Sequence, residues 1–138
     1  MRFTATFLSL LLSVTAVVAQ IDGDEPTCED GDGGPNDGDK AAVLNAFLAR
    51  YAPDGFYRPQ GGEDLCIKCG NAEINAQNSC SVQYEATRDQ VSEAINEFPS
   101  NSNGCSNLVH VGQGADAGCL PILLATPGYY SPGCEITC

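Results

Sequence analysis

The stretch Thr87-Arg88-Asp89-Gln90-Val91-Ser92-Glu93-Ala94-Ile95-Asn96-Glu97-Phe98-Pro99 decides how this chain folds. Thr87 followed three residues later by Gln90 is a capping-box pattern, in which each side chain satisfies the other residue's free backbone N–H. Val91, Ala94, Ile95 and Phe98 recur at helical spacing and make one apolar stripe, and Pro99 stops the run. A helix with a single stripe buries it against another layer. The neighbouring sequence supplies that layer as strands. Upstream, Val82 and Tyr84 alternate with polar residues over Ser81–Glu85. Downstream, Leu108–Val111 and Leu120–Ala125 read as buried strands, with Pro121 at the start or edge of the second.

Further upstream, Leu44, Phe47, Leu48 and Tyr51 share one helical face. They predict a first helix from about Asp39 to Tyr51, capped by Asp37 or Asp39 and ended by Pro53. Residues 54–65 read as a loop, with a short strand at Gly55-Phe56-Tyr57 and a turn at Gly61-Gly62. Asn71–Ala76 is a weaker strand signal. Together these predict a single α+β domain over residues 39–138, with a small, mostly antiparallel sheet and two helices.

The ends of the chain set its compartment. Met1 and Arg2 precede an apolar run from Phe3 to Val18, and Ala16-Val17-Val18-Ala19 ends in small residues. This reads as a secretory signal over 1–19, with Gln20 as the new N-terminus, since the run is short for a membrane span. All eight cysteines, Cys28, Cys66, Cys69, Cys80, Cys105, Cys119, Cys134 and Cys138, lie beyond it. An even count in a short chain on an oxidising route predicts four disulfides, among about 105 possible pairings. With so few large apolar side chains, the domain is expected to lose its tertiary structure under strong reductant.

Charge narrows the partners. Beyond residue 19 the chain keeps all 18 acidic residues and only Lys40, Arg50, Arg58, Lys68 and Arg88, a net charge of −13. No basic stripe is available for phosphates, so neither nucleic acid nor an anionic membrane is an expected partner. Eight of the acidic residues fall in 20–39 among five glycines and two prolines. That composition predicts a largely disordered arm over 20–38, fastened where Cys28 ties it to the body. Asn78 and Asn103 stand in Asn-x-Cys form, which a disulfide would block from glycosylation.

Several motifs bear on chemistry. Cys66-x-x-Cys69 lacks the second close pair or the paired His of a zinc ribbon, and no helix follows it to activate a thiolate. It reads as two half-cystines reaching different partners, and Cys134 and Cys138 read likewise. The Asp30–Asp39 run has the composition of a calcium loop without its spacing, with Pro35 where the turn glycine belongs and Ala41 where the bidentate Glu belongs. No metal and no cofactor are expected. His110 is the only histidine, and no Gly-x-Ser-x-Gly elbow accompanies it. Leu108-Val109-His110-Val111-Gly112 is similar to the histidine-bearing strand of guanyl-specific fungal ribonucleases. That resemblance would give Glu85 and Arg88 the roles of base and electrostatic partner.

The secretory signal, four-bridge count and short α/β body resemble fungal small secreted cysteine-rich proteins, the class that contains effectors and toxin-like proteins. Cys28-Glu29-Asp30-Gly31-Asp32, the helix through Ala41-Ala42, Gly55-Phe56-Tyr57 and Cys66 follow the order of elements in mushroom-type glycan-binding αβα-sandwich proteins. Cys80-Ser81-Val82-Gln83-Tyr84 before a helix also resembles α/β-sandwich killer toxins. Secretion, compactness and the absence of a catalytic constellation are read as a monomeric, effector-like protein that binds an extracellular protein target without catalysis. The alternative is a glycan-binding module using Phe56, Tyr57, Tyr129 and Tyr130, with Asp54 or Glu63 accepting from sugar hydroxyls.

Overall fold

The computed structural model describes residues 26–30, 33–109, 119–129 and 134–138. Residues 1–19, read from sequence as a secretory signal, together with His110 and Tyr130 lie outside them. The fold is α+β: two helices, a five-stranded antiparallel sheet, a two-stranded ribbon and four disulfides. In chain order the elements are β1 Thr27–Asp30, α1 Asp37–Tyr51, β2 Phe56–Tyr57, β3 Asp64–Cys69 and β4 Ala72–Gln77. After these come β5 Ala86–Thr87, α2 Arg88–Asn96, β6 Asn103–Leu108 and β7 Pro121–Ala125. The large sheet runs β1-β6-β7-β4-β3, and β2 pairs with β5.

The helix α2 forms as its sequence dictates. Thr87 Oγ1 accepts from Gln90 N, and Gln90 Oε1 accepts from Thr87 N at 2.7 Å, closing the capping box. Its stripe of Val91, Ala94, Ile95 and Phe98 is buried throughout. In α1 the cap is Asn36, whose Oδ1 accepts from Asp39 N at 3.0 Å. Asp37 and Asp39 instead sit in the first turn, where their charge complements the positive end of the helix. Val43, Leu44, Phe47 and Leu48 are buried, and Tyr51 donates its hydroxyl to Cys66 O at 2.8 Å. Lys40 Nζ reaches across to Phe98 O just past α2, at 3.0 Å, and so ties the two helices together.

The helices meet each other while α1 packs on β3 and β4, and α2 on β6 and β7. One core lies between the layers, with Phe47, Ile74, Ile95, Ile122 and Leu124 at its centre. Each such side chain contributes about 1.5–3 kcal/mol on burial.

Three strands fall where the sequence shows little apolar alternation. The strand β1 lies within the arm read as largely disordered over 20–38, and it pairs with β6 through Thr27↔Ser106, Cys28↔Cys105 and Asp30↔Asn103. The Cys28–Cys105 bridge supplies the adhesion that composition alone does not. The strand β3 begins inside the stretch read as loop and carries Cys66 and Cys69. The strand β6 ends at Leu108, where the sequence reading began its strand, and is lined inward by Asn103, Cys105 and Asn107.

The expected strand at Ser81–Glu85 is a loop, and Val82 stands 52% exposed on it. Alternation there has no neighbouring strand to bury its apolar half. Pro121 opens β7, as expected, opposite Leu108. Just past them, Val109 N donates to Leu120 O at 2.9 Å. By the alternation of antiparallel pairs, Leu108 and Pro121 form a non-bonded pair, and the missing N–H costs no bond to β6.

Cys66 and Cys69 do reach different partners, Cys134 and Cys138. Cys80 pairs with Cys119. The tail pinned by the first two lies along the free side of β3. Lys68 N donates to Ile136 O at 2.9 Å, and Cys138 N donates to Lys68 O at 3.1 Å.

Candidate functional site

The turn after α1 builds the most distinctive surface. Gly55 takes φ +96°, a left-handed conformation suited to glycine, and Phe56 N donates to Asp54 Oδ1 at 3.3 Å. Two strand residues follow and must point to opposite faces. Tyr57 goes inward, 1% exposed, with its ring 5.5 Å from that of Phe47. Phe56 goes outward, 37% exposed.

Arg58 then folds back over Phe56, its Cζ 4.8 Å from the ring centroid. Two carboxylates hold the guanidinium there: Nη1 bonds Asp54 Oδ2 at 2.5 Å and Nε bonds Glu85 Oε2 at 2.6 Å. These hydrogen bonds keep the Arg58 guanidinium charged above its ordinary range. The hydrogen bond from Arg58 holds the Asp54 carboxyl below its own. The pairs are solvent-exposed and add little to stability, so their effect is to fix orientation.

A second segment runs beside this one. Gln83 Nε2 donates to Arg58 O at 3.3 Å. The fully buried Asn78 donates from Nδ2 to both Pro59 O and Val82 O, at 3.0 and 2.8 Å, and accepts from Cys80 N on Oδ1. Gly61 lies so close to the Ser81 backbone that a Cβ there would meet it at 2.6 Å. The loop at 78–85 is thus held against 58–62, and Val82 joins Phe56 on one cross-linked ribbon. These two are the large hydrophobic side chains that stand exposed among the described residues.

The aromatic residues expected to bind sugar do not form one platform. Phe56 and Tyr57 face opposite ways. The Tyr57 hydroxyl is buried without a hydrogen-bond partner among the described residues, and its burial raises its pKa well above the ordinary tyrosine value. Tyr129 lies against Gly104, where a Cβ would stand 2.7 Å from its ring, and its hydroxyl is 3.3 Å from Glu29 Oε2 on β1. Tyr130 lies outside the described residues. The expected acceptors are engaged within the chain: Asp54 holds Arg58, and Glu63 Oε2 accepts from Gln60 N at 2.7 Å.

The ribonuclease-like residues are placed apart in role. Glu85 accepts from Arg58, and Arg88 opens α2; His110 lies outside the described residues. Among the described residues no His, Cys, Asp and Glu group is arranged to hold a metal ion, and no helix is long and apolar enough to cross a membrane.

Sequence reasoning missed Arg58, Glu85 and Val82 as parts of a surface. The four-residue spacing of Asp54 and Arg58 around Phe56 was the available signal; nothing local announces Glu85. It also missed Glu73, which is 1% exposed. Its Oε1 accepts from Asn75 Nδ2 at 2.7 Å, and its Oε2 accepts from Gly128 N and Cys134 N at 3.3 and 3.4 Å. These bonds clamp the C-terminal tail from within. Comparison with protein-family models, curated proteins and solved structures finds no match to this chain.

Proposed function

We propose that this is a secreted, effector-like protein that binds an extracellular protein target without catalysis. Four disulfides fit a small secreted cysteine-rich protein. The observation that carries the reading is the exposed Phe56 under a guanidinium held by two carboxylates, with Val82 on the same ribbon. Aromatic side chains and arginine are enriched in protein–protein interfaces, and an arginine already oriented loses little entropy on docking. Arg58 occupies one face of Phe56, which leaves the other as its single face for stacking on a sugar.

The test uses Phe56→Ser with Val82→Ser in the oxidised protein, with the melting temperature of the double variant measured alongside to show that it remains folded. Saturable binding to a protein of the extracellular fluid, lost in the double variant, is the expected result. Binding that survives both substitutions would move the site elsewhere. Saturable binding to a defined sugar on a glycan array, without protein binding, would reassign the protein as a lectin.

A further inference from the structure

We propose that the ribbon carrying Phe56 and Val82 binds a segment of its partner protein in which an apolar side chain stands next to a lysine or arginine. This rests on the protein-binding reading and adds the chemistry of what is bound.

The ring sets the first requirement. Arg58 lies over one face of Phe56, its Cζ 4.8 Å from the centroid, so an incoming group meets the other face. A second cation stacked there would be set against Arg58 across the ring, which leaves that face to an apolar side chain. Val82 extends the apolar contact from the loop that Asn78 and Gln83 hold against 58–62.

Charge sets the second requirement. One guanidinium is shared by two carboxylates, Asp54 and Glu85, so the three groups together keep one negative charge. The two carboxylates are not equally occupied. Asp54 also accepts from Phe56 N on its second oxygen, whereas Glu85 Oε1 has no partner among the described residues. Along 54–64 and 78–89, five carboxylates (Asp54, Glu63, Asp64, Glu85 and Asp89) stand against the two guanidinium groups of Arg58 and Arg88. A cationic side chain beside Glu85 is attracted by this excess, and a carboxylate is repelled.

The same excess disfavours a second copy. Two ribbons meeting face to face would set like charges together, as an isologous contact requires. Both carboxylates of the clamp are more than half exposed, so their pull is screened by salt and selects the partner more than it holds it.

The probes are three acetylated, amidated tetrapeptides that alternate leucine with lysine, glutamine or glutamate. Each is titrated into the oxidised protein at low salt and followed by nuclear magnetic resonance. The lysine peptide is expected to shift the Phe56 ring and Val82 methyl signals with about fivefold higher affinity than the glutamine peptide, and the glutamate peptide to bind most weakly. Salt at about 0.5 M should bring the lysine and glutamine peptides level, a test of the charge that needs no substitution. Glu85→Gln keeps an acceptor for Arg58 and should level them at low salt, with the melting temperature unchanged. Phe56→Ser should weaken all three.

Three results would overturn the proposal: glutamine or glutamate peptide binding as tightly as the lysine peptide at low salt, a lysine preference undiminished in folded Glu85→Gln, or shifts confined to residues outside the ribbon. The broader reading fails separately. Capture of an extracellular protein that the Phe56/Val82 double variant loses, but that neither Glu85→Gln nor salt weakens, sinks the basic segment alone. Wild-type protein that captures no partner sinks the protein-binding reading.

Discussion

The two edges of the five-stranded sheet are finished in opposite ways. Along β3 the tail at 134–138 is hydrogen-bonded to Lys68, bridged by Cys66–Cys134 and Cys69–Cys138, and gripped from within by Glu73. Along β1 a single bridge, Cys28–Cys105, attaches the strand and nothing described covers its outer side. An unpaired edge invites another chain. This fold closes one edge with covalent chemistry, whereas among the described residues the other ends at β1, fastened by one bridge. Closure carries stability.

The sharpest way to break that comparison is to release the closed edge. Replacing Cys66, Cys69, Cys134 and Cys138 with Ala removes both tail bridges, which span 68 and 69 residues of sequence. Loop-entropy reasoning puts the cost at about 5 kcal/mol or more, comparable to the whole stability of a small domain. Loss of cooperative unfolding, read by circular dichroism, is expected. Either pair replaced alone should cost only about 2.5 kcal/mol, because the remaining bridge keeps the tail beside β3 and shortens the loop the other closes. A quadruple variant as stable as wild type would show that the tail is ornament.

Glu73→Ala attacks the same edge without touching sulfur. It leaves the N–H groups of Gly128 and Cys134 and the Asn75 amide without their acceptor in a buried place. The expected loss is about 3 kcal/mol, measured by urea denaturation, with hydrogen exchange quickening first in the tail. A loss below about 0.5 kcal/mol would mean that water replaces the carboxylate freely.

The closed and open edges also differ in how they were written. The helix α2 was legible in full, because Thr87, Gln90 and the Val91–Phe98 stripe are local signals. The strand β7 was legible through its apolar run, and α1 apart from its Asn36 cap. Both edge strands, and β6 between them and the core, were not. Apart from Ile67, the buried positions of β3 and β6 are filled by Cys69, Asn103, Gly104, Cys105 and Asn107 in place of Val or Ile. The asparagines are admissible there only because distant groups satisfy them: Thr126 for Asn103, and Ala94 O with Glu97 for Asn107. No window of sequence contains those partners. Val82 and Tyr84 show the converse, alternation without a strand to pair with. Of the candidate site, Phe56 was named from sequence, whereas Arg58 and Glu85 became a surface only once 58–62 and 78–85 were brought together.

At the open edge, removing Cys28–Cys105 by paired Ala substitutions should cost about 2 kcal/mol, less than the tail bridges together. Its effect should stay local. Amides of Thr27–Asp30 are expected to exchange freely while those of β4 and β7 keep their protection. Loss of protection across the whole sheet would show that β1 is a stabilising member on the same footing as β3, and the contrast between the edges would disappear.

The smallest effect tests how β1 is held along its ladder. Thr27 pairs with Ser106 in the hydrogen-bonded parity, so Thr27→Pro deletes a ladder bond along with the Thr27 Oγ1 contact to Ser106 Oγ at 2.9 Å. Thr27→Val loses the hydroxyl alone, and the difference between the two isolates the backbone bond, worth about 1 kcal/mol. Equal costs for the two would mean that the alternation assigned from Val109 and Leu120 does not extend to Thr27, whereas unequal costs in the stated order would place its N–H inside the sheet.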